Sequence, residues 1–387
     1  MCGSTRVRVL LELRDMPAQD GVVFDSAQEA AEAPVGDVRL ARCPECGYVG
    51  NTAFDPKKIG FTEYRYAQHH SPKYQQHLLA VLSMLVEDYG IREKLVLDAG
   101  CGEGYFLHRL CEAGRNRGIG VDPSVSLDEA GGADADDDSD GITLIRDYFS
   151  ADHTGHAADL VSCRHVIDEL PEPRPFVELL GRAAADRPDA YVYIEVPNAM
   201  RTFEQKLVWN LGYAKRSWFT STSIRCMFAL CGLETVAVHE MFDGEYLGAV
   251  GRRAAADREA RPPDAAGDAD ADAMQSLEHH VRDAIVHWTD QLGQWRAGGR
   301  RVAMWGAGMR GINFLSRFAD SGAVQQVVDI NPGRQGIYLP VSAARVQAPE
   351  SLIQLRPDVV ILSNPGYEQE IREQLSGLGL DAEIQRL

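Results

Sequence analysis

Glycine recurs at every second position in Asp98-Ala-Gly100-Cys-Gly102-Glu-Gly104, directly after the apolar run Leu95–Leu97. Such a turn strips Cβ atoms from the backbone and lets a ligand approach the main chain. Tyr105 to Ala113 then carry a helical pattern, whose free N–H groups point back at the turn. Asp98 discriminates between ligands. A dinucleotide would place pyrophosphate on this turn, and a carboxylate at the strand end repels it. The acid suits a cofactor with a cationic end and no phosphate. S-adenosylmethionine (SAM), with a sulfonium, an α-amino group and an adenosine, has that shape. Asp98, Gly100, Gly102 and Gly104 are thus expected at its methionine end. Asp122 closes the next strand-like stretch, Gly118-Ile-Gly-Val-Asp122, where a carboxylate can accept both ribose hydroxyls. Asp147, in Arg146-Asp147-Tyr148, is expected to accept from the adenine amino group, with Tyr148 stacking nearby. The competing reading is a βαβ turn that holds no ligand.

Two further groups could do chemistry. Gly306-Ala-Gly308-Met-Arg310-Gly311 follows the apolar stretch Arg301–Trp305, and Asp329 lies 23 residues beyond Gly306. This is the dinucleotide fingerprint, and alone it suggests an NAD-linked enzyme. The region beyond residue 300 is under 100 residues long, with little room for six strands and a substrate site. A plain structural turn stays open, and Arg310 would suit a ligand phosphate. Cys43-Pro-Glu-Cys46-Gly is half of a structural zinc site, since tetrahedral zinc needs four N or S ligands. Cys2 is the expected third. The fourth is left open between His69, His70 and a residue upstream of Met1, against free thiols without metal.

These groups need elements to hold them. A chain of 387 residues implies two or three domains. A net charge of −18 argues against nucleic acid. No apolar run reaches a membrane span of about 18 residues, and no signal peptide is visible. Eight cysteines, scattered but for one pair, fit reduced thiols and a cytoplasmic location. Four regions follow. Residues 1–60 read as irregular and zinc-binding. Residues 61–252 alternate strands and helices as a doubly wound α/β sheet does, with strands at Leu95–Asp98, Gly118–Asp122, Ile142–Arg146, Leu160–Cys163 and Tyr191–Val196. Ser126–Asp140 reads as an acidic mobile insertion. Residues 253–273, rich in Ala, Asp and Pro, read as a linker into a helix at Met274–Leu292. Residues 274–387 restart an α/β pattern, with strands at Arg301–Trp305, Gln326–Ile330 and Asp358–Ser363.

In this order, Cys43-Pro-Glu-Cys46-Gly, Asp98–Gly104, Glu195-Val-Pro-Asn198, Trp305–Gly311 and Val328-Asp-Ile-Asn-Pro332 resemble the sugar C-methyltransferase family of antibiotic and deoxysugar pathways. The resemblance implies a small N-terminal zinc domain and a class I SAM-methyltransferase domain with a Rossmann-like sheet. It also implies a C-terminal Rossmann-like α/β domain that binds substrate. The implied substrate is a nucleotide-linked 4-keto sugar, and the implied reaction is removal of the C3 proton followed by attack of the enolate on the SAM methyl group. Two departures matter. The family's Tyr-Glu-His-x-x-Tyr-Phe segment is here Tyr213-Ala-Lys215-Arg216-Ser-Trp-Phe219, without carboxylate or imidazole. Its Val-Leu-Glu-His segment is here Val166-Ile-Asp168-Glu169. His165, Asp168, Glu169, Lys215 and Tyr213 are the candidate replacements. Lys215 would act as a base only if desolvated and otherwise as a cation toward an oxyanion or anionic group. Tyr64-Arg-Tyr66-Ala-Gln-His69-His70 resembles the family's lead into the substrate cleft. Competing expectations are O- or N-methylation of another small molecule, an NAD-linked oxidoreductase, and a silent SAM-binding protein.

Overall fold

Three sheets organise the chain in the computed structural model, which describes all residues except Asp20, Val23, 61–67, 127–140 and 255–267. The segment Tyr64–Ala67, most of the acidic insertion and most of the expected linker therefore lie outside the described residues.

The first sheet corrects the expectation of an irregular N-terminus. β1 (Arg8–Pro17), β2 (Val35–Arg42) and β3 (Val49–Asn51) form an antiparallel sheet. In β2, Gly36, Val38 and Leu40 are buried while Asp37 and Arg39 are exposed, the alternation of a half-buried strand. A fourth strand comes from far along the chain: Ser217–Trp218 (β9) pairs with β3.

The central sheet contains β4 (Leu95–Ala99), β5 (Arg117–Val121), β6 (Ile142–Ile145), β7 (Leu160–Arg164), β8 (Tyr191–Pro197), β10 (Leu233–Met241) and β11 (Tyr246–Arg253). Its order is β6-β5-β4-β7-β8-β11-β10, parallel from β6 to β8, with β11 antiparallel to both neighbours. Val96 and Leu97 are fully buried, because a central parallel strand is covered on both faces. Strand order reverses at β4, which opens a crevice beyond the carboxyl ends of β4 and β7.

The third sheet repeats this logic at smaller scale. β12 (Val302–Trp305), β13 (Val324–Val328), β14 (Val346–Gln347), β15 (Val359–Leu362) and β16 (Glu383–Arg386) are all parallel, in the order β14-β13-β12-β15-β16. The helix Leu277–Ala297 buries Leu277, Val281, Trp288, Leu292 and Trp295, a stripe at helical spacing. One apolar cluster joins that stripe to the N-terminal sheet, residues 199–218 and the third sheet. Among the described residues no helix is long and apolar enough to cross a membrane.

Candidate active site between two glycine turns

A cavity of about 700 Å³ lies between the switch points of the central and third sheets, lined by both glycine turns. On the central side, Gly100, Gly102 and Gly104 all have φ between +56° and +80°. A Cβ on Gly102 would meet nothing within 4 Å, so the turn opens onto the cavity that it lines. A Cβ on Gly100 would instead stand 2.3 Å from Val166. Gly104 is the N-cap of the helix Tyr105–Gly114 and lies behind the cavity wall.

Asp98 is buried, lines the cavity and accepts a hydrogen bond from Ser162 Oγ at 2.7 Å. Burial pushes its carboxyl up to about 6, against the Ser162 bond and the charge of Arg164. Asp122 Oδ2 accepts the Gly102 N–H at 2.9 Å, and its Oδ1 accepts the Ser124 N–H at 2.7 Å. Those bonds fix the turn and leave acceptor capacity, since an ionised carboxylate offers about four sites. Tyr148 stands on the cavity wall. Asp147 does not: its carboxylate accepts the Tyr148 N–H and lies 3.6 Å from His153 Nε2. The expected adenine acceptor is thus not among the residues of the cavity wall.

A buried charge cluster behind the cavity wall centres on Glu195, in β8 and fully buried. Its Oε1 lies 2.8 Å from Arg164 Nη2, 2.9 Å from His165 Nε2 and 3.2 Å from His77 Nε2, and its Oε2 accepts the Tyr193 hydroxyl at 2.7 Å. Burial opposes the charge on Glu195, but Arg164 and the two imidazoles hold its carboxyl well below the usual range. His165 follows β7 in the left-handed region, at φ +56°, a sparsely populated conformation for a non-glycine residue. Its N–H donates to the Glu195 carbonyl at 2.8 Å, and its ring meets Tyr246 edge-on at 4.6 Å, on the cavity wall.

Lys215 Nζ and Asp168 Oδ2 form a largely buried ion pair at 2.9 Å, also on that wall. Glu169 lines the cavity beside them. Tyr213 must be reassigned: its ring packs flat over Gly36 and stacks on Phe54, and its hydroxyl accepts the Asp55 N–H at 2.7 Å. It fastens the N-terminal sheet, outside the cavity. Arg310 is not offered to a phosphate either, because its guanidinium pairs with Glu245 and Asn210 of the central domain.

The second turn repeats the first. Gly306 N–H donates to the Val328 carbonyl as Gly100 N–H does to Val121, both at 2.8 Å. Asp329 accepts the Ala307 and Asn331 N–H groups at 2.7 and 2.9 Å, as Asp122 does for Gly102 and Ser124. One difference is chemical: two residues before Gly306 the chain carries Met304, where Asp98 precedes Gly100.

Cys2, Cys43 and Cys46 converge, with sulfur atoms within 4.8 Å of one another and Cys2–Cys43 at 3.7 Å. His69 and His70 are elsewhere: both line the cavity, with His69 stacked on Tyr105 at 4.4 Å. Neither serves as the fourth ligand. Sequence reasoning did not assign Glu195 or Arg164 a role. The legible signal was a charge inside each of two strands, Tyr-Val-Tyr-Ile-Glu195 and Leu-Val-Ser-Cys-Arg164, whose other residues are apolar or small.

Residues 67–238 match the family described as "Methyltransferase domain", and residues 255–381 match "C-methyltransferase C-terminal domain". C-methyltransferase NovU of Streptomyces niveus is 28% identical over 331 residues, covering 80% of this chain and 76% of NovU. Among solved structures, magnesium protoporphyrin IX methyltransferase of Synechocystis, with bound S-adenosylhomocysteine, gives a TM-score of 0.37 at 19% identity, over 47% of this chain and 84% of that one. The 1,6-didemethyltoxoflavin-N1-methyltransferase of Burkholderia thailandensis gives 0.34 at 18%, over 46% and 79%. The sheet order and the family matches define a class I SAM-dependent methyltransferase. The chain joins a match to a methyltransferase domain with a match to a C-methyltransferase C-terminal domain.

Proposed function

We propose that this enzyme methylates an acidic carbon of a nucleotide-linked keto sugar, or of a related intermediate of specialised metabolism. The observation that carries the proposal is the contact between His165 and buried Glu195, 2.9 Å, on the wall of the cavity shared by the two glycine turns. When bound, SAM supplies a methyl group on a sulfonium. Asp98 would hold its cationic end and Asp122 its ribose. His165 Nε2 stands 2.9 Å from the Glu195 carboxylate without an aligned hydrogen bond in the ligand-free site; with Nε2–H turned to Glu195, Nδ1 would carry the lone pair that takes the proton from the carbon beside the substrate carbonyl. Glu195, kept ionised by Arg164, stabilises the resulting imidazolium. The electron pair of the C–H bond becomes the enolate. That carbon would accept the methyl group that SAM supplies, the carbon–sulfur bond breaking as the carbon–carbon bond forms and S-adenosylhomocysteine being the leaving group. Lys215, oriented by Asp168, offers a cation to the enolate oxygen in place of the family's missing Glu-His pair.

The second turn lacks an acid equivalent to Asp98, and this supports a role for it in docking the substrate's nucleotide diphosphate. NovU is named as a C-methyltransferase, and its relatedness supports a carbon acceptor. Cys2, Cys43 and Cys46 are proposed to hold a structural zinc. The scattered spacing of the eight cysteines favours work in the cytoplasm.

The test is proton exchange. Nucleotide-linked 4-keto sugars are incubated with enzyme in D2O without SAM, and deuterium at the carbon beside the carbonyl is read by mass spectrometry. Exchange that disappears in His165→Asn supports the reading. Methyl transfer to an oxygen or nitrogen of these sugars, with no exchange, overturns it.

A further inference from the structure

The cysteine cluster has a fourth member, from a different domain. Cys226 projects from the helix Ser221–Leu230 of the central domain and is buried against Cys43 and Cys46. Its thiol lies against the cluster but outside the set of three whose sulfur atoms are all within 4.8 Å of one another, so a metal would draw it in. We infer that Cys226 is the fourth ligand of the zinc at Cys2, Cys43 and Cys46, making a four-cysteine site that joins the N-terminal sheet to the methyltransferase domain. The inference rests on the zinc reading above and adds the residue that closes the site.

Geometry favours a metal over a disulfide or loose thiols. A tetrahedron with metal–sulfur bonds of about 2.3 Å has sulfur–sulfur edges of about 3.8 Å. The Cys2–Cys43 separation is 3.7 Å, far beyond a disulfide bond of about 2.05 Å. The remaining cysteines of the chain are engaged elsewhere. Cys231, one turn beyond Cys226, donates its thiol to the Arg174 carbonyl at 3.7 Å. Cys101, Cys111 and Cys163 sit on the β4 turn, the helix that follows it and β7. Four thiolates around a divalent cation carry two net negative charges; Arg174, paired with Glu178 at 2.9 Å, donates to the Met1 carbonyl at 3.4 Å nearby. The site sits where the two domains are already stitched, since β9, just before the helix that carries Cys226, pairs with β3, just after Cys46. Zinc would therefore fasten one junction rather than a free N-terminal arm.

The experiment counts sulfurs in the full-length enzyme purified with added zinc. The expected result is one zinc per chain by mass spectrometry and a four-sulfur shell at about 2.3 Å by X-ray absorption. Cys226→Ser should convert that shell to three sulfurs and one lighter atom, or release the zinc, while Cys231→Ser keeps four sulfurs. A three-sulfur shell in the unaltered enzyme, or a four-sulfur shell surviving Cys226→Ser, overturns the inference and leaves the zinc reading standing. An unaltered enzyme that holds no zinc overturns both. Should Cys226→Ser fail to fold, the shell of the unaltered enzyme and of Cys231→Ser still decides.

Discussion

At the scale of single residues, the site depends on where charge is allowed in the interior. Asp98 and Glu195 are both buried carboxylates, and their environments push them in opposite directions. Asp98 has a hydroxyl for company and titrates near 6, so in the free enzyme it is neutral at pH 5 and ionised at pH 7. A cationic ligand needs the carboxylate. SAM affinity should therefore rise with pH up to about 6 and then level off, with a limiting slope of about tenfold per unit below it. Calorimetry should find a proton released on binding at pH 5 and none at pH 7. Asp98→Asn should bind weakly and lose this dependence; a slope that persists in the variant would place the titration elsewhere. The same shift has a stability consequence. Between the unfolded value of about 3.9 and the folded value, the unfolded chain ionises first, so the free enzyme should lose stability as pH rises through that window. Glu195 is a different case. Glu195→Gln strands the Arg164 charge in the core, and breaking a buried pair costs about 3–5 kcal/mol. A large fall in Tm is expected along with slower turnover. His165→Asn leaves that pair intact, so its kcat should fall by roughly 10²–10⁴ with Tm and SAM Kd nearly unchanged. Equal loss of SAM affinity would remove His165 from the reacting end.

At the scale of elements, the glycine turns and parallel strands were legible because their sequence signals are local. Leu95–Leu97 is an uninterrupted apolar run, and such a run belongs to a strand covered on both faces. The alternation in Gly36-Asp-Val-Arg-Leu40 is equally local, yet the reading of residues 1–60 as irregular passed over it. What could not be read was long-range. β3 finds β9 across more than 160 residues, and no period in either segment announces the partner. The same holds for Tyr213, whose ring covers Gly36, and for Arg310, whose partners lie in another domain. A side chain's chemistry is visible in sequence, but its neighbours are not. The second turn gives a sharp element-scale test. Gly306 has φ +103°, and a Cβ there would stand 2.0 Å from Ser363 Oγ. Gly306→Ala should destabilise by roughly 1–3 kcal/mol. Ser363→Ala in the same chain should recover part of that loss, because it removes the clash but not the backbone strain. Full recovery would mean that the left-handed turn carries no strain.

At the scale of the whole molecule, the cavity exists because the carboxyl-end turns of two Rossmann-like sheets are held opposite each other. Two clamps hold them. On one side Glu245 of the central domain engages Arg310 of the second turn and Arg201 of its own domain. On the other, Glu370 of the C-terminal helix accepts from Ser71 Oγ at 2.7 Å, and Lys73 reaches the Gly366 carbonyl at 2.7 Å. The Glu245 clamp involves the second turn and spares the Asp98 turn, so its loss should be felt unequally by the two ligands. Glu245→Ala leaves Arg310 without its carboxylate partner and lets the C-terminal domain move against the central sheet. The KM for the proposed nucleotide-linked substrate should rise by tenfold or more, on the basis of about 1.4 kcal/mol per tenfold, while the Kd for SAM stays within twofold. Hydrogen exchange should quicken in residues 306–312 and remain slow in β4. A Glu245→Gln variant retains the hydrogen-bonding shape without the charge and should fall between the two. If SAM affinity and substrate KM deteriorate together, the two halves of the cavity are a single cooperative unit and the division of labour between the glycine turns is wrong.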